Sequence, residues 1–392
     1  MSSMVYNFPE SIHFGWGEVK NVGRYAKGLG STRVLIVTDE GVERVDLIRG
    51  VTESLEGVGI PFTIFNGVQP NPTDLNVEEG LRAYREGGCD AVIAVGGGSP
   101  MDAAKGIVLM ARHPGSLREY YAGEDPRRSV TPDVPPFIAV PTTSGTGSEA
   151  SRGGIITDTS ENRKRVIGSR NLLPKVVVLD PKLTVSMPPK LTAYTGLDAL
   201  SHSIEAFVVD RYAPLADAFA KEGIRLVAKS LVRAYDAGDD RRAREDMMMA
   251  STMGAMAFHK GLGVVHSLAH QLSPQVGMPH GAACGVILPH AIRFNVAEGP
   301  ARDKTALRYA EVAGIFGVEA EGMTSIELAE ETAEVINKLL IRFQVPMRLG
   351  EWGASEEDLK VMARNAMLDH SHGRNPRPCT EADMRALFEA AL

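Results

Sequence analysis

The first 180 residues alternate short apolar runs with amphipathic stretches, and the two periods predict different elements. RVLIVT (33–38) is rich in β-branched residues and closes on Asp39-Glu40-Gly41, a strand followed by a turn. PFTIF (61–65) runs into Asn71-Pro72-Thr73, where Pro72 disfavours helix at Asn71, and a helical stretch follows from about 74 to 87. AVIAVGG (91–97) predicts another strand, after which Gly96-Gly97-Gly98-Ser99 opens a helix from about Pro100. PFIAVPT (136–142) and KVVVLD (175–180) supply further buried strands. Strands separated by helices pair in parallel with both faces covered. An α/β domain built on a doubly wound parallel sheet is therefore expected over residues 1–187.

Near Met187-Pro188-Pro189 the pattern changes. From about 190 the segments are long, rich in Ala, Leu and Met, and spaced like helices, as in 191–210, 214–236, 242–258, 262–272 and 324–343. Few strand-like runs follow, so residues 188–392 predict an all-helical domain. A chain of 392 residues holds two domains of ordinary size. A net charge of −7 weighs against a nucleic-acid or anionic-membrane partner. No run of 18 apolar residues occurs, and the N-terminus lacks a basic stretch leading into an apolar one. Cys89, Cys284 and Cys379 are odd in number and far apart, which fits a reducing compartment rather than a disulfide framework. A cytoplasmic protein is expected.

Two clusters carry the chemistry. At a strand-to-helix turn, glycine N–H groups can approach an anion without Cβ interference, and the helix N-terminus adds partial positive charge. Gly96-Gly97-Gly98-Ser99 meets that need, although a glycine run after a strand is also how a tight turn is made. The run 141–149 (PTTSGTGSE) follows another strand and offers hydroxyls, either to a ligand or to a helix start through Thr146 or Ser148. Asp39 ends an earlier strand. A carboxylate there is either a turn residue or an acceptor for a ribose 2′-hydroxyl that would repel a 2′-phosphate.

The second cluster lies in the helical half. Asp198 and His202 stand four apart on one helix, His266 and His270 repeat that spacing on another, and His280 begins a turn after Pro279. One carboxylate with three imidazoles, Asp198, His202, His266 and His280, can surround a divalent metal. The position after His266, where a metalloprotease would carry its glutamate base, is Ser267, which weakens a hydrolase reading. His13, His113 and His290 lack partners at ligand spacing and read as structural, while His259 either borders the site or faces solvent.

Together GGGSPMDAAK, PTTSGTGSE, TGLDALSHSIEAF, GLGVVHSLAH, MPHGAACGVILPH and the C-terminal NPRPCTEADMRALFEAAL resemble the iron-containing (group III) alcohol dehydrogenase family, in the same order and over essentially the whole chain. The resemblance implies a dehydroquinate synthase-like architecture. An N-terminal domain would bind a nicotinamide dinucleotide, NAD in preference to NADP, and a helical domain would hold the metal, with the active site in a cleft between them. It assigns Asp198, His202, His266 and His280 as ligands of Fe²⁺, with Zn²⁺ or another divalent ion also compatible with the donors. Gly97, Gly98, Ser99 and Asp102 match positions around the pyrophosphate. Thr142, Thr143 and Thr146 match contacts in the second loop, and Asp39, Asn71, Lys164 and Leu183 match further dinucleotide contacts. His270 matches a histidine that assists proton movement, and Phe258 an aromatic near the substrate pocket. A homodimer or higher homo-oligomer is implied. Departures lie at Gln271-Leu272-Ser273 and at Asp369-His370-Ser371-His372, which adds two imidazoles.

The chemistry then expected is hydride transfer between a small primary alcohol, diol or hydroxy acid and NAD, in either direction. Three neutral imidazoles and one carboxylate leave a bound divalent ion with net positive charge, suited to an alkoxide or a polarised carbonyl. The competing enzymes of similar architecture are a Zn²⁺-dependent glycerol dehydrogenase and a dehydroquinate synthase-like lyase. The lyase would need several cations for an acidic substrate, and only Lys260, Arg374 and Arg377 are available near the ligands. A metal hydrolase would leave the first 180 residues without a role, and a non-catalytic NAD sensor would not need all four metal ligands.

Overall fold

The computed structural model describes residues 4–123 and 127–392. The chain divides into two compact units, Tyr6–Met187 and Pro188–Leu392, the latter joined by Met4 and Val5.

The strands of the first unit are β1 (Ser11–Phe14), β2 (Val34–Val37), β3 (Phe62–Phe65), β4 (Ala91–Gly96), β5 (Phe137–Pro141), β6 (Gly153–Asp158), β7 (Arg163–Gly168) and β8 (Val176–Leu179). Six of them form one parallel sheet in the order β1-β8-β5-β4-β2-β3, while β6 and β7 make a separate antiparallel pair. Every residue of β2, β4, β5 and β8 is buried, which is why these segments read as continuous apolar runs rather than alternating ones. On one face Val34, Ile36, Ile93, Val95, Ile138, Val140, Val176 and Val178 pack with residues of α1 (Val22–Gly28) and α3 (Arg49–Glu56). The short α2 (Glu40–Arg44) precedes α3, and α4 (Asp74–Glu86) and α5 (Gly98–Arg112) contact the same strands without contributing to that core. The α4–α5 approach depends on glycine, since a Cβ on Gly80 would lie 2.3 Å from Ile107 and one on Gly106 2.6 Å from Val77.

The parallel sheet is the one the apolar runs predict, but two features are additions. β1 is a half-exposed edge strand of four residues with no apolar run to announce it. β7 carries Arg163, Lys164 and Arg165 in six residues, so its charge hides a strand whose buried positions still alternate.

The second unit contains α6 (Pro189–Val208), α7 (Pro214–Asp236), α8 (Arg241–Ala257), α9 (Val264–Val276), α10 (His280–Ala297), α11 (Arg302–Ile315), α12 (Ser325–Arg342), α13 (Glu356–Ala366) and α14 (Glu381–Ala391), with no strand among the described residues. Helix α6 begins with Pro189 at its first position, where the missing N–H costs nothing. From Gly196 to Val208 it is buried without a break, packed among α7, α8 and α10. One expectation is corrected here: His280 does not begin a turn but is the first residue of α10. The Pro279 before it supplies the extended cap from which the helix starts, and the helix continues through Pro289. No described helix is long and apolar enough to cross a membrane.

Candidate metal centre and nucleotide loops

Two glycines set the metal centre by letting α10 lie against α6. A Cβ on Gly281 would sit 2.0 Å from the carbonyl oxygen of Tyr194, and one on Gly285 2.9 Å from Cδ1 of Leu197. With α10 pressed onto α6, His280 and Cys284 face Asp198, and His266 comes in from α9. Asp198, His266, His280 and Cys284 each present a donor atom, and all four atoms lie within 4.8 Å of one another. Oδ1 of Asp198 is 3.4 Å from Nε2 of His280, 3.7 Å from Nε2 of His266 and 3.8 Å from Nδ1 of His202. That oxygen is buried and makes no hydrogen bond to the described residues. Burial works against the charged form of Asp198, but the imidazoles of His202 and His280 outweigh it and hold the carboxyl well below its usual range. Such an oxygen, ringed by imidazole nitrogens, is what a cation site looks like before its cation is considered.

Of the four residues the sequence nominates, three converge on one point and the fourth flanks them. His202 stacks on His266 with ring centroids 4.4 Å apart, and its nitrogens are not among the four clustered donors. Phe258 is partly buried, with its ring centroid 5.2 Å from that of His202. Cys284 takes the place beside the two Nε2 atoms, with Sγ 3.7 Å from His280 and 3.9 Å from His266. Burial pushes its thiol up to about 11. Its signal in the sequence is the same i,i+4 spacing, from His280, that marks the other pairs.

Two carboxylates to which the sequence assigns no role hold the imidazoles. Glu205, seven residues beyond Asp198 on α6, accepts from Nδ1 of His266 at 2.5 Å and from the backbone N–H of Val265 at 2.7 Å. The bond fixes which nitrogen of His266 faces Asp198. Gly263 makes room for it, because a Cβ there would lie 2.7 Å from Oε1 of Glu205. Asp369 does the same for His270, its Oδ2 2.8 Å from Nδ1, while its Oδ1 accepts from Ser267 Oγ at 3.1 Å and from the Ser371 N–H at 2.8 Å. Ser267 in turn accepts from the His372 N–H at 2.8 Å. Burial works against the charged Asp369, but His270 holds its carboxyl well below the usual range. The ring of His270 stacks on that of His280 at 5.2 Å between centroids. The segment 369–372 is thus fastened to α9 beside the centre rather than being a detached surface loop. His13 and His113 are structural: His13 stacks on Tyr25, and His113 accepts from the Thr131 N–H while its other nitrogen meets Leu109 O.

In the first unit the strand order reverses between β2 and β4: β2 continues to β3 on one side and β4 to β5 on the other. In open parallel sheets ligands bind beyond the carboxyl ends of strands at such a switch point. Asp39 follows β2 and Gly97 follows β4. Gly97 and Gly98 are pressed against the second loop, where a Cβ would meet Thr143 at 3.2 Å and Thr146 at 2.8 Å respectively. Thr142 donates its N–H to Gly96 O at 2.9 Å. Gly97, Gly98, Ser99, Thr143 and Thr146 are all partly accessible, as ligand contacts need to be, whereas Thr142 is buried.

Other candidates have duties inside the protein. Asp39 caps α2 by accepting from the Val42 N–H at 2.9 Å. Asp102 accepts from Ser148 Oγ at 2.6 Å and from the Ile155 N–H at 3.0 Å. Behind it, the fully buried Lys105 donates to Ser148 O and Oγ at 2.7 Å each and to Gly153 O at 2.5 Å. Asn71 is exposed with left-handed backbone (φ 56°), Lys164 faces Thr157 across the β6–β7 pair, and Leu183 is buried in the core.

The family model described as iron-containing alcohol dehydrogenase matches residues 9–181, and that of the Fe-containing alcohol dehydrogenase family, C-terminal, matches residues 192–392. The chain is 38% identical over 390 residues to 1,3-propanediol dehydrogenase of Klebsiella pneumoniae, covering 99% of this chain and 98% of that one. It is 36% identical over 385 residues to the NAD-dependent methanol dehydrogenase of Bacillus methanolicus, covering 98% of each. A solved structure of 1,3-propanediol oxidoreductase superposes with a TM-score of 0.94 at 37% identity over the full length of both chains. Two clustered donor sets, one sheet architecture and matches spanning both units agree: the chain belongs to the iron-containing alcohol dehydrogenase family.

Proposed function

We propose that this protein transfers hydride between a small primary alcohol, diol or hydroxy acid and NAD. The observation that carries the reading is the buried, unbonded Asp198 oxygen ringed by imidazoles, with a carboxylate-held His270 beside them. Relatives named for 1,3-propanediol, 4-hydroxybutyrate and methanol support the substrate class. Asp198, His202, His266 and His280 would hold the divalent metal, which when bound supplies the positive charge that favours an alkoxide over an alcohol. Gly97, Gly98, Ser99, Thr142, Thr143 and Thr146, with Asp39, Asn71, Asp102, Lys164 and Leu183, would hold NAD, the hydride acceptor. Asp369, by accepting from Nδ1 of His270, leaves Nε2 to take up or return the alcohol proton. Phe258 would shape the apolar wall of the pocket.

Two of the three cations nominated for the lyase alternative are engaged elsewhere. Lys260 is fully buried and donates to Phe207 O and Asp217, and Arg377 stacks on Phe294 and pairs with Glu298. The direct test is absorbance in the NADH band with a panel of primary alcohols, diols and hydroxy acids, with Fe²⁺ and Zn²⁺ compared. No turnover with any of them would reject the reading.

Two substitutions probe the assigned roles. Asp369→Asn keeps the shape but can turn a donor toward His270, and turnover is expected to fall by about 10–100-fold with little change in alcohol KM. Steady-state kinetics showing an unchanged kcat would remove Asp369 and His270 from the proton path. Asp39→Gly removes the carboxylate that would repel a 2′-phosphate, while glycine at the helix cap costs only a few tenths of a kcal/mol. The NADP⁺/NAD⁺ ratio of kcat/KM is expected to rise by about tenfold or more. A ratio that does not move would mean that Asp39 caps α2 and does nothing for the ribose.

A further inference from the structure

Cys284 lies in the metal centre with a geometry that a buried small apolar residue does not need. Its Sγ faces two imidazole nitrogens at 3.7 and 3.9 Å rather than a hydrocarbon wall, and the residue has no exposed surface. Around a five-coordinate ion with bonds of about 2.0–2.1 Å to nitrogen or oxygen and about 2.3 Å to sulfur, adjacent donors stand roughly 3–4 Å apart. The Asp198 Oδ1 separations of 3.4 and 3.7 Å from the same two nitrogens belong to the same set. An independent observation also points to a cation here: Oδ1 of Asp198, in a side chain only 4% exposed, makes no hydrogen bond to the described residues.

We propose that Cys284 is an additional ligand of this centre, binding the cation as a thiolate alongside Asp198 and the imidazoles. The inference rests on the metal reading above and adds to it a sulfur donor. On binding, the S–H bond breaks and a metal–sulfur bond forms; the proton leaves to solvent and no electron changes hands. Helix α10 then contributes two ligands one turn apart, His280 and Cys284, as α6 contributes Asp198 and His202. A soft sulfur among nitrogen donors favours Zn²⁺ and Co²⁺ over Mg²⁺ or Mn²⁺. The competing account of the same distances is an S–H hydrogen bond to His280 or His266.

The test uses Co²⁺ alone, added at saturation to the full-length protein stripped of metal, with neither alcohol nor nucleotide present. The expected result is one Co²⁺ per chain and a near-ultraviolet sulfur-to-cobalt charge-transfer band. Cys284→Ser should lose the band while still taking up Co²⁺, with affinity weakened by at least about tenfold. Cys284→Ala, which adds no hydroxyl, should lose it too, and a Cys89→Ser, Cys379→Ser double variant should keep it. Helical circular dichroism shows that each variant is folded. Stoichiometric Co²⁺ without the band, or a band that survives Cys284→Ser and Cys284→Ala, overturns the sulfur ligand and leaves the metal centre standing. Failure of the wild-type protein to bind Co²⁺ overturns both.

Discussion

Exhaustive chelation is expected to lower turnover by at least about 10³-fold, because the charge stabilisation a divalent ion lends to an alkoxide amounts to several kcal/mol and each 1.36 kcal/mol is tenfold in rate. The residues left behind cannot replace it. Asp198 carries the wrong sign, and burial pushes the Cys284 thiol up to about 11. NADH affinity should change by no more than about twofold, since the glycine and threonine loops belong to a different unit of the chain from the metal ligands. Metal analysis paired with NADH fluorescence titration separates the two effects. Full activity with no metal detected would end the metal-assisted reading, whereas joint loss of metal and NADH binding would mean that chelation unfolds the protein.

The largest effect from a single substitution is expected at Gly281. An alanine Cβ would stand 2.0 Å from the Tyr194 carbonyl oxygen, and a helix backbone cannot move aside as a side chain can. Helix α10 must back away from α6, separating His280 and Cys284 from Asp198. The expected loss is at least about 3 kcal/mol, the upper end for overpacking, or a fall of about 6–12 °C in Tm for a unit of some 200 residues, together with loss of bound metal. Gly285→Ala is the control. Its Cβ would meet the side-chain tips of Leu197 at 2.9 Å and Leu340 at 3.2 Å, contacts that rotation can relieve, so about 1 kcal/mol is expected and the metal should stay. Equal losses from the two variants would show that α10 is not positioned by the Gly281 contact.

What could be read from the chain beforehand follows the range of each interaction. The central strands β2, β4, β5 and β8 announce themselves because a strand buried on both faces must be apolar throughout. Asp198 and His202 were legible because one helical turn puts them on one face whatever surrounds the helix. Glu205 obeys the same periodicity, but its purpose exists only once α9 delivers His266 to it. Asp369 has no local signal at all, since 99 residues separate it from His270 and only the packing of the C-terminal segment joins them. Cys284 stands one turn from His280, but a lone cysteine in a sequence is most often a small hydrophobe, and only the packing of α10 on α6 brings its sulfur to the imidazoles.

The Lys105 ammonium bears on how the glycine and threonine loops would meet the proposed ligand. One buried cation ties the first helix after the glycine turn to Ser148 and Gly153 beyond the threonine loop, so both turns are stiffened when the sheet forms. A dinucleotide docking there, as proposed, would have little loose chain to freeze, and its affinity would suffer correspondingly little entropic loss.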